Sequence, residues 1–262
     1  IFEIKKKSIS TAIINGRMTK KSFDRWMLIP RFAKEIFANF DLCLASSEES
    51  KRFFKLLNTK NVKYLGNIKL AKNINKDSKD EKNLDILNDK IVWSAVSTHD
   101  GEELFCLKAH LKLKNNIKNL ITIIIPRHIN RCHKIEKICN KLELNSQILN
   151  ENERIDNKKE IIIINSFGSL SKYLQHSKCV FIGKSIPERF RSEGGQSPVE
   201  AIKLNCKVFH GPHISNFKEI YKLLHSLQVS EEIKNEDELT NRLNRDLILS
   251  NEKTNNISSK IN

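Results

Sequence analysis

Residues 91–103 read IVWSAVSTHDGEE, and this stretch decides the fold class of the chain. The apolar run Ile91–Val96 predicts a buried strand, and the polar turn Ser97–Gly101 leads into a helix predicted over Glu102–Leu113. A strand that runs directly into a helix is the repeating unit of α/β proteins. The stretch therefore predicts an α/β protein with a mainly parallel sheet.

The same alternation continues toward the C-terminus. Further strands are predicted at Leu120–Ile125, Ile161–Ile164, Cys179–Ile182 and Lys207–His210. Further helices are predicted at Lys134–Leu142, Leu170–Gln175, Pro198–Leu204 and Asn216–Leu224. We therefore predict a Rossmann-like domain over residues 91–230, followed by a charged C-terminal helix or tail over 231–262 that frays.

Upstream of residue 91 the alternation is shorter. Strands are predicted at Thr11–Ile14, Leu42–Ala45 and Val62–Leu65, and helices at Glu48–Leu57 and at Lys20–Phe40, the latter broken at Pro30. Three strands are too few to close a sheet of their own, so residues 1–66 are interpreted as the tail of a preceding Rossmann-like domain. Residues 67–90 are rich in Lys, Asn and Asp and are predicted to be a linker.

Composition narrows the class of protein. The chain has 46 Lys and Arg against 31 Asp and Glu, a formal net charge of +15, which favours anionic partners. Its recurrent Lys, Ile and Asn also follow from AT-rich codon usage, so the charge by itself is discounted as a sign of nucleic acid binding. With 39% hydrophobic and 29% charged residues, the chain is too apolar for disorder and too polar for an integral membrane protein.

The cysteines and the first residues of the chain indicate its cellular compartment and its relation to the parent protein. The six cysteines show no C-x-x-C pair and lie mostly in apolar segments, so buried reduced thiols of a cytoplasmic protein are predicted. The first residue is Ile, and Ile1–Ser10 lacks the apolar core of a signal peptide. We expect the parent protein to continue upstream.

Ligands of open α/β sheets bind beyond the carboxyl ends of the strands, so the turns there are the first candidates for a site. Ser97–Gly101 could present helix N–H groups to an anion, or could form an ordinary helix cap. Pro126 is followed by Arg127 and His128, and the Arg127 guanidinium suits a phosphate, although a surface ion pair is the alternative.

Two later turns contain glycine. Gly168, in the turn after Ile161–Ile164, would let the backbone approach a ligand closely. Residues 194–201 read GGQSPVEA, where Ser197 is predicted to cap the helix, Pro198 to occupy its first position and Glu200 to complete a capping box. The same arrangement could direct helix N–H groups at a phosphate while Glu200 accepts hydrogen bonds from ribose hydroxyls.

Six ordered pieces of the sequence resemble one family, the Kdo (3-deoxy-D-manno-oct-2-ulosonic acid) transferases of lipid A biosynthesis. They are NGR at 15–17, GNIK at 66–69, WSAVSTHDGEE at 93–103, PRH at 126–128, GGQSPVEA at 194–201 and GPHISNF at 211–217. The resemblance implies a GT-B type fold with a Rossmann-like C-terminal donor domain. It implies transfer of Kdo from the donor CMP-Kdo to a lipid A precursor, inverting at the anomeric carbon.

The resemblance also implies roles for individual residues. Contacts to CMP are implied for Pro126, Arg127, Phe167, Gly168, Ser169, Ser197, Pro198, Val199 and Glu200. Support of the donor loop is implied for Ser97, Thr98, His99, His128, Gly194, Gly195 and Gln196. Contacts to Kdo or the acceptor are implied for Arg17 and Lys69.

The resemblance also implies which components the chain lacks and where the protein is located. No metal and no cofactor are expected. The general base of the family is a glutamate expected upstream of Ile1, so this chain alone is expected to be inactive. Asp100, Glu102 and Glu103 could replace it, but carboxylates at a helix start are expected to cap or to be solvated. The expected location is the cytoplasmic face of the bacterial inner membrane, bound peripherally at its anionic surface.

The sequence departs from the family in the donor loops and leaves other classes open. Asn165 and Ser169 flank the Gly168 turn in place of an acidic residue and a glutamate, residues 190–193 resemble an insertion, and Lys184 replaces a glycine. A GT-B transferase that uses a UDP-sugar is one alternative. A basic membrane-binding or RNA-binding protein is another, because the apolar face of Lys20–Phe40 could lie on anionic lipid instead of packing inside the domain. No known RNA-binding module is recognisable, and no nucleic acid partner is expected.

Overall fold

A computed structural model describes residues 1–64, 84–168 and 170–248, and the chain divides into two compact units. One unit lies within residues 1–73 and the other within residues 74–262. Leu65, most of the predicted linker, Ser169 and the C-terminal residues 249–262 lie outside the described residues. No helix among those described is long and apolar enough to cross a bilayer.

The first unit is a small parallel sheet with helices. Its elements are α1 (Phe2–Lys6), β1 (Ala12–Gly16), α2 (Lys20–Trp26), α3 (Pro30–Ala38), β2 (Leu42–Ala45), α4 (Glu48–Leu56) and β3 (Val62–Tyr64). In the part that is described, three strands pair in parallel in the order β1-β2-β3. The predicted break at Pro30 is confirmed, because Pro30 begins a new helix, where its missing N–H costs no hydrogen bond.

The second unit is larger. Its strands are β4 (Ile91–Thr98), β5 (Leu120–Pro126), β6 (Ser146–Leu149), β7 (Ile161–Ile164), β8 (Cys179–Ile182), β9 (Lys207–His210) and β10 (Ser230–Glu232). Its helices are α5 (Glu102–Leu113), α6 (Cys132–Lys141), α7 (Leu170–Leu174), α8 (Val199–Lys203), α9 (Lys218–Ser226) and α10 (Glu236–Ile248). Short 3-10 helices cover Asp85–Leu87, Ile129–Arg131, Glu188–Phe190 and Ser215–Phe217.

These seven described strands form one parallel sheet in the order β10-β9-β8-β4-β5-β7-β6. The central strands are buried on both faces, which explains why β7 consists of four fully buried isoleucines and shows no apolar and polar alternation. One face packs Trp93, Phe181 and Phe209 against α5 and α10, and the other packs Ile121 and Ile162. The prediction of an α/β protein with a mainly parallel sheet is confirmed.

Several sequence predictions require correction. The edge strands β6 and β10 were not predicted, because QIL and SEE flanked by polar residues carry little strand signal. The predicted linker extends too far, since Leu84 and Leu87 are buried in the second unit's core. The C-terminal helix does not fray over its described length, because Leu239, Leu243 and Leu247 pack into that core.

The six cysteines are free and buried, as predicted. Burial raises the pKa of each thiol, to about 11 for Cys43 and Cys139 and to about 12 for Cys206. They therefore behave as small apolar core residues.

Candidate functional site

The direction of strand addition reverses at β4, whose neighbours β5 and β8 lie on opposite sides of it. In open parallel sheets, such a switch point opens a crevice at the carboxyl ends of the strands. At this place the residues after β4 meet the loop after β8. The predicted turns therefore converge on the carboxyl edge of the larger sheet.

Glu102 joins the two loops of this crevice. Its fully buried carboxylate accepts hydrogen bonds from four backbone N–H groups, those of His99 (2.9 Å), Lys184 (2.7 Å), Ser185 (2.8 Å) and Ile186 (3.1 Å). Burial raises the pKa of Glu102, and the four N–H donors oppose that shift. The carboxylate thus holds the loop after β8 against the start of α5.

The carboxylates near this turn are all occupied. Both oxygens of the buried Glu103 accept hydrogen bonds from the Arg131 guanidinium, at 3.0 and 2.9 Å. Asp100 pairs with Lys134 and Arg131, and these hydrogen bonds lower its pKa to about 2. The expectation that they cap or are solvated is wrong for Glu102 and Glu103, which are fully buried and hydrogen-bonded to the loop after β8 and to Arg131.

The turn itself differs from an ordinary cap. Gly101, at a φ of +94°, is the N-cap of α5, and no side chain caps the helix there. Ser97 also has a positive φ, 54°, and Thr98 donates to Glu103 through its hydroxyl. A cap by Ser97, Thr98 or Asp100, which was one of the two sequence interpretations, is therefore not formed.

Gly183 explains how β4 and the loop after β8 approach so closely. A Cβ atom on Gly183 would lie 2.5 Å from the Ser97 carbonyl oxygen and 2.7 Å from the Thr98 Cα. Both are backbone atoms that cannot rotate away. Any larger residue would therefore push the loop away from β4.

A cationic group of side chains surrounds His99. Arg127 follows β5, and its backbone N–H donates to the Thr98 carbonyl at 3.1 Å, while the His128 ring lies 5.9 Å from that of His99. Burial lowers the pKa of His99, and the nearby charges of His128, Lys184 and Arg127 lower it further. Across the described residues, the exposed Arg127 guanidinium forms no hydrogen bond or ion pair, so a ligand anion could take both of its N–H edges.

Arg189 and Phe190, the latter the first residue of the apparent insertion at 190–193, complete this group. The Phe190 ring packs 5.0 Å from the His99 ring, and the Arg189 guanidinium lies 4.7 Å above the Phe190 ring. Arg189 also donates to the Asp100 carbonyl. The sequence analysis missed Arg189 and Phe190 as site residues, although an arginine beside an aromatic residue, in a loop at this edge, is a usable signal.

The GGQSPVEA segment packs against the same loops. The Gly195 N–H donates to the Lys184 carbonyl at 2.7 Å, and a Cβ on Gly194 would lie 2.3 Å from the His213 carbonyl oxygen. The predicted capping box is wrong, because Pro198 is the N-cap of α8 and no side chain caps this helix. Within the described part of the chain, neither the Ser197 nor the Glu200 side chain makes a hydrogen bond, and both residues are partly exposed.

The turn after β7 extends the site along the sheet edge. Phe167 is 75% exposed, and Gly168 has a φ of +80° with open space where a Cβ would be. An exposed aromatic ring beside a glycine is available to a flat ligand. Ser169, predicted with them, lies outside the described residues.

The remaining predicted residues belong to the first unit. Asn15 has a φ of 53°, and Arg17 is exposed just after β1. Burial of part of the Arg17 side chain lowers its pKa, and Glu49 opposes that shift. Lys69, together with Gly66–Ile68, lies outside the described residues.

The described residues contain no group of three or more His, Cys, Asp or Glu side chains that could hold a metal ion. What the carboxyl edge offers instead is positive charge from Arg127 and Lys184 near the His99 and His128 rings, and a Glu200 carboxylate that forms no hydrogen bond within the described residues. This combination suits a ligand that carries both a phosphate and hydroxyl groups.

Comparisons with known proteins show what the chain is similar to. Residues 1–72 match the sequence model of the family described as 3-deoxy-D-manno-octulosonic-acid transferase (kdotransferase). Over 229 residues the chain is 27% identical to a 3-deoxy-D-manno-octulosonic acid transferase of Haemophilus influenzae, covering 85% of the chain and 52% of the relative. Over 240 residues it is 29% identical to one of Rickettsia bellii, covering 90% and 56%. The chain spans about half the length of these relatives.

Solved structures show the fold. The C-terminal CMP-Kdo binding domain of WaaA from Acinetobacter baumannii superposes with a TM-score of 0.59 at 23% identity, covering 67% of this chain and 89% of that one. The S. aureus MnaA structure with UDP gives 0.58 at 13% identity, covering 99% and 66%. The fold is therefore of the GT-B type, as predicted. The resemblance to the Kdo transferases that the motifs indicated is confirmed.

Proposed function

We propose that this chain carries the donor-binding part of a Kdo transferase, which transfers Kdo from CMP-Kdo to a lipid A precursor in lipopolysaccharide biosynthesis. The observation that carries the proposal is the Arg127 guanidinium, which has no partner in the described part of the chain and lies in a cationic group at the switch point of a parallel sheet. Such a group fits the single phosphate of a nucleoside monophosphate sugar.

The transfer reaction requires stabilisation of the leaving phosphate, which this cationic group can provide. The bond between the anomeric carbon of Kdo and the phosphate oxygen breaks, and CMP leaves with the bonding electrons. The acceptor hydroxyl oxygen forms the new bond with inversion and gives its proton to a base. Arg127, assisted by the positive charge of Lys184, stabilises the negative charge that develops on the leaving phosphate. The chain's own residues can provide this without a metal.

Other residues bind and orient the donor in this proposal. The Glu200 carboxylate, free of hydrogen bonds within the described residues, would accept the ribose hydroxyls, and Phe167 offers a flat apolar face. Pro126 and Val199 are proposed to contact CMP, and Gly194–Gln196 to support the donor loop. Glu102 acts indirectly, by holding the loop that carries Lys184. We assign the general base to none of the described residues of the second unit.

Calorimetric titration of the chain with CMP, with UMP and with UDP tests the proposal. CMP is expected to bind at least about tenfold tighter than UMP, which differs only at the base, because a donor site selects its own nucleotide. Tighter binding of UDP would instead support a UDP-sugar transferase. A single-stranded RNA that binds while CMP does not would support the RNA-binding alternative.

We also propose that the first unit contacts an anionic membrane, consistent with a peripheral enzyme at the cytoplasmic face of the bacterial inner membrane. The apolar residues of Lys20–Phe40 divide into two groups. Phe23, Trp26, Ile36 and Phe37 pack into the core of the first unit. Around the turn between α2 and α3, Leu28 is 81% exposed, and Met27, Ile29 and Phe32 are exposed too.

Basic residues border this apolar turn. Arg25, Arg31 and Lys34 are exposed beside it, so apolar side chains could enter the headgroup region while cations meet lipid phosphates. Cosedimentation with phosphatidylglycerol vesicles tests this proposal. Leu28→Ser combined with Ile29→Ser should abolish binding, while the exposed pair Leu223→Ser and Ile248→Ser in the second unit should not. Equal binding by all variants would refute it.

A further inference from the structure

A second region of concentrated positive charge lies at the amino-terminal edge of the larger sheet, away from the site described above. An open cavity of about 350 Å³ lies there. It is formed by Lys90, which precedes β4, by residues 114, 115 and 117–121 around the start of β5, and by residues 157–160, which precede β7. Strands β4 and β5 run from this cavity to the cationic group around His99. At about 3.3 Å per residue, β5 separates the two places by roughly 20 Å.

Five lysines line the cavity, and a single carboxylate faces them. The lysines are Lys90, Lys114, Lys118, Lys158 and Lys159, and the carboxylate is that of Glu160. Glu160 is already occupied by partners within the fold. It accepts hydrogen bonds from the Lys114 ammonium at 3.2 Å and from the Asn145 backbone N–H at 2.9 Å, and it lies 3.2 Å from the His110 ring.

The other four lysines are left uncompensated. Among the described residues, the ammonium groups of Lys90, Lys118, Lys158 and Lys159 form no ion pair and no hydrogen bond. Like charges gathered around one concavity repel one another, and each repulsion is relieved when an anion lies between them. Asn115, Asn119 and Asn157 line the same cavity and add amide donors for anion oxygens.

The shape and the charge of the cavity together indicate the class of ligand that it binds. A concave surface lets several ammonium groups reach one compact anion at once, whereas a flat membrane would meet only those at the rim. A cavity of this volume is comparable to a small phosphorylated molecule. We propose that the cavity binds a compact polyanion with two or more phosphate groups, a second site independent of the proposed donor site.

Titration with inorganic pyrophosphate at low ionic strength, with the donor site saturated by CMP, tests this inference. Pyrophosphate is expected to bind with one equivalent per chain, in the wild type and in Arg127→Ala alike. Lys118→Gln combined with Lys158→Gln should weaken binding by about tenfold or more, because two of four uncompensated cations are lost. Both lysines are exposed, so the melting temperature serves as a folding control.

A matched variant separates the cavity from the general charge of the chain. Lys137→Gln combined with Lys141→Gln removes the same charge from the exposed face of α6, outside the cavity lining, and should leave binding within about twofold. Equal losses in both double variants would overturn the inference, as would competition between pyrophosphate and CMP. Phosphatidylglycerol vesicles that bind through Lys118 and Lys158 in a chain that ignores pyrophosphate would also overturn it. Failure of CMP to bind would affect only the proposed function.

Discussion

His210 and His225 share one proton across a 2.8 Å contact between their Nε2 atoms. His210 is fully buried at the end of β9, and its Nδ1 lies 2.7 Å from the Gly211 carbonyl oxygen, which can only accept. The His210 proton is therefore on Nδ1, its Nε2 accepts, and His225 donates from Nε2. A proton on the His210 Nε2 would face the N–H that His225 donates, with no acceptor between the two nitrogens, so the buried His210 ring is held neutral.

This pair predicts a loss of stability in mild acid. Burial lowers the pKa of His210 to about 4, from an ordinary value of 6.5. Since the folded pKa lies below the unfolded one, its contribution is complete above pH 6.5 and is lost as the pH falls toward 4. Linkage gives about 3 kcal/mol over that window. Urea unfolding of wild type and His210→Asn should show a shallower pH slope for the variant, whose amide can still donate to Gly211. Parallel slopes would contradict this explanation.

Arg127→Ala should weaken CMP binding by about 1.5–3 kcal/mol, the range for hydrogen bonds to charged groups. The melting temperature should not change, because the guanidinium is exposed and unbonded within the described residues. Calorimetry with CMP measures the first effect and a thermal melt the second. Arg52→Ala, at an exposed position of α4, is the control. An unchanged dissociation constant would remove Arg127 from the donor site.

Glu200→Gln should lower CMP affinity by about 1.5–3 kcal/mol at an unchanged melting temperature. A carboxylate can accept two ribose hydroxyls, whereas Gln offers one oxygen and an NH₂ group that opposes the second donor. Because the Glu200 side chain makes no hydrogen bond within the described part of the chain, its replacement by Gln removes no stabilising contact. Wild-type affinity in the variant would withdraw Glu200 from the donor site.

Ser197→Ala should leave the free energy of unfolding within about 0.5 kcal/mol of wild type, since Ser197 caps no helix. The matched comparison is Ser47→Ala, whose hydroxyl accepts the Ser50 N–H at 3.0 Å as the N-cap of α4. Loss of that cap should cost about 1 kcal/mol. Chemical denaturation of both variants decides the matter, and similar losses would restore the capping box at residues 197–200.

Glu102→Gln should destabilise the second unit by about 3 kcal/mol or more and also weaken CMP binding. Gln keeps one acceptor oxygen and turns an NH₂ group toward the buried N–H donors of Lys184, Ser185 and Ile186. Glu136→Gln, on the surface side of α6, should change neither quantity. If the two variants melted together, the four hydrogen bonds of Glu102 would contribute little.

The sequence predicts the buried elements of this fold well and its edges poorly. β7 and β8 were predicted at their observed bounds because four consecutive apolar residues between polar neighbours leave few alternatives. β6 and β10 were missed, since edge strands obtain their hydrogen bonds from a neighbour and need little apolar sequence of their own. The packing of Leu84 and Leu87 into the second unit's core was not predicted either, because three apolar residues, Leu84, Ile86 and Leu87, in a polar stretch are too few to show a helix or strand period.

The candidate site shows a similar division. Arg127 and His128 were predicted because a strand end is a reliable place for a ligand group. The role of Glu102 could not be predicted, because three of its partners are backbone N–H groups about 80 residues away. Every residue except proline has such a group, so no residue type in the sequence marks the partner. The capping box at Ser197 failed for a related reason. The residues have the pattern of a capping box, but α8 begins at Val199, one residue later than the predicted start at Pro198.

The position of β4 in the larger sheet determines the order in which its strands can pair while the chain is synthesised on the ribosome. β4 can pair with β5 after about 35 further residues, but its other neighbour, β8, ends only at Ile182. Until then one side of β4 is an open edge, and the Glu102 carboxylate remains hydrated because its donors at residues 184–186 have not emerged. Docking of β8 closes that edge and dehydrates Glu102 in the same event. A nascent chain stalled before residue 186 should therefore expose the unpaired edge of β4 and lack a formed crevice. The crevice can form only after β8 has paired with β4.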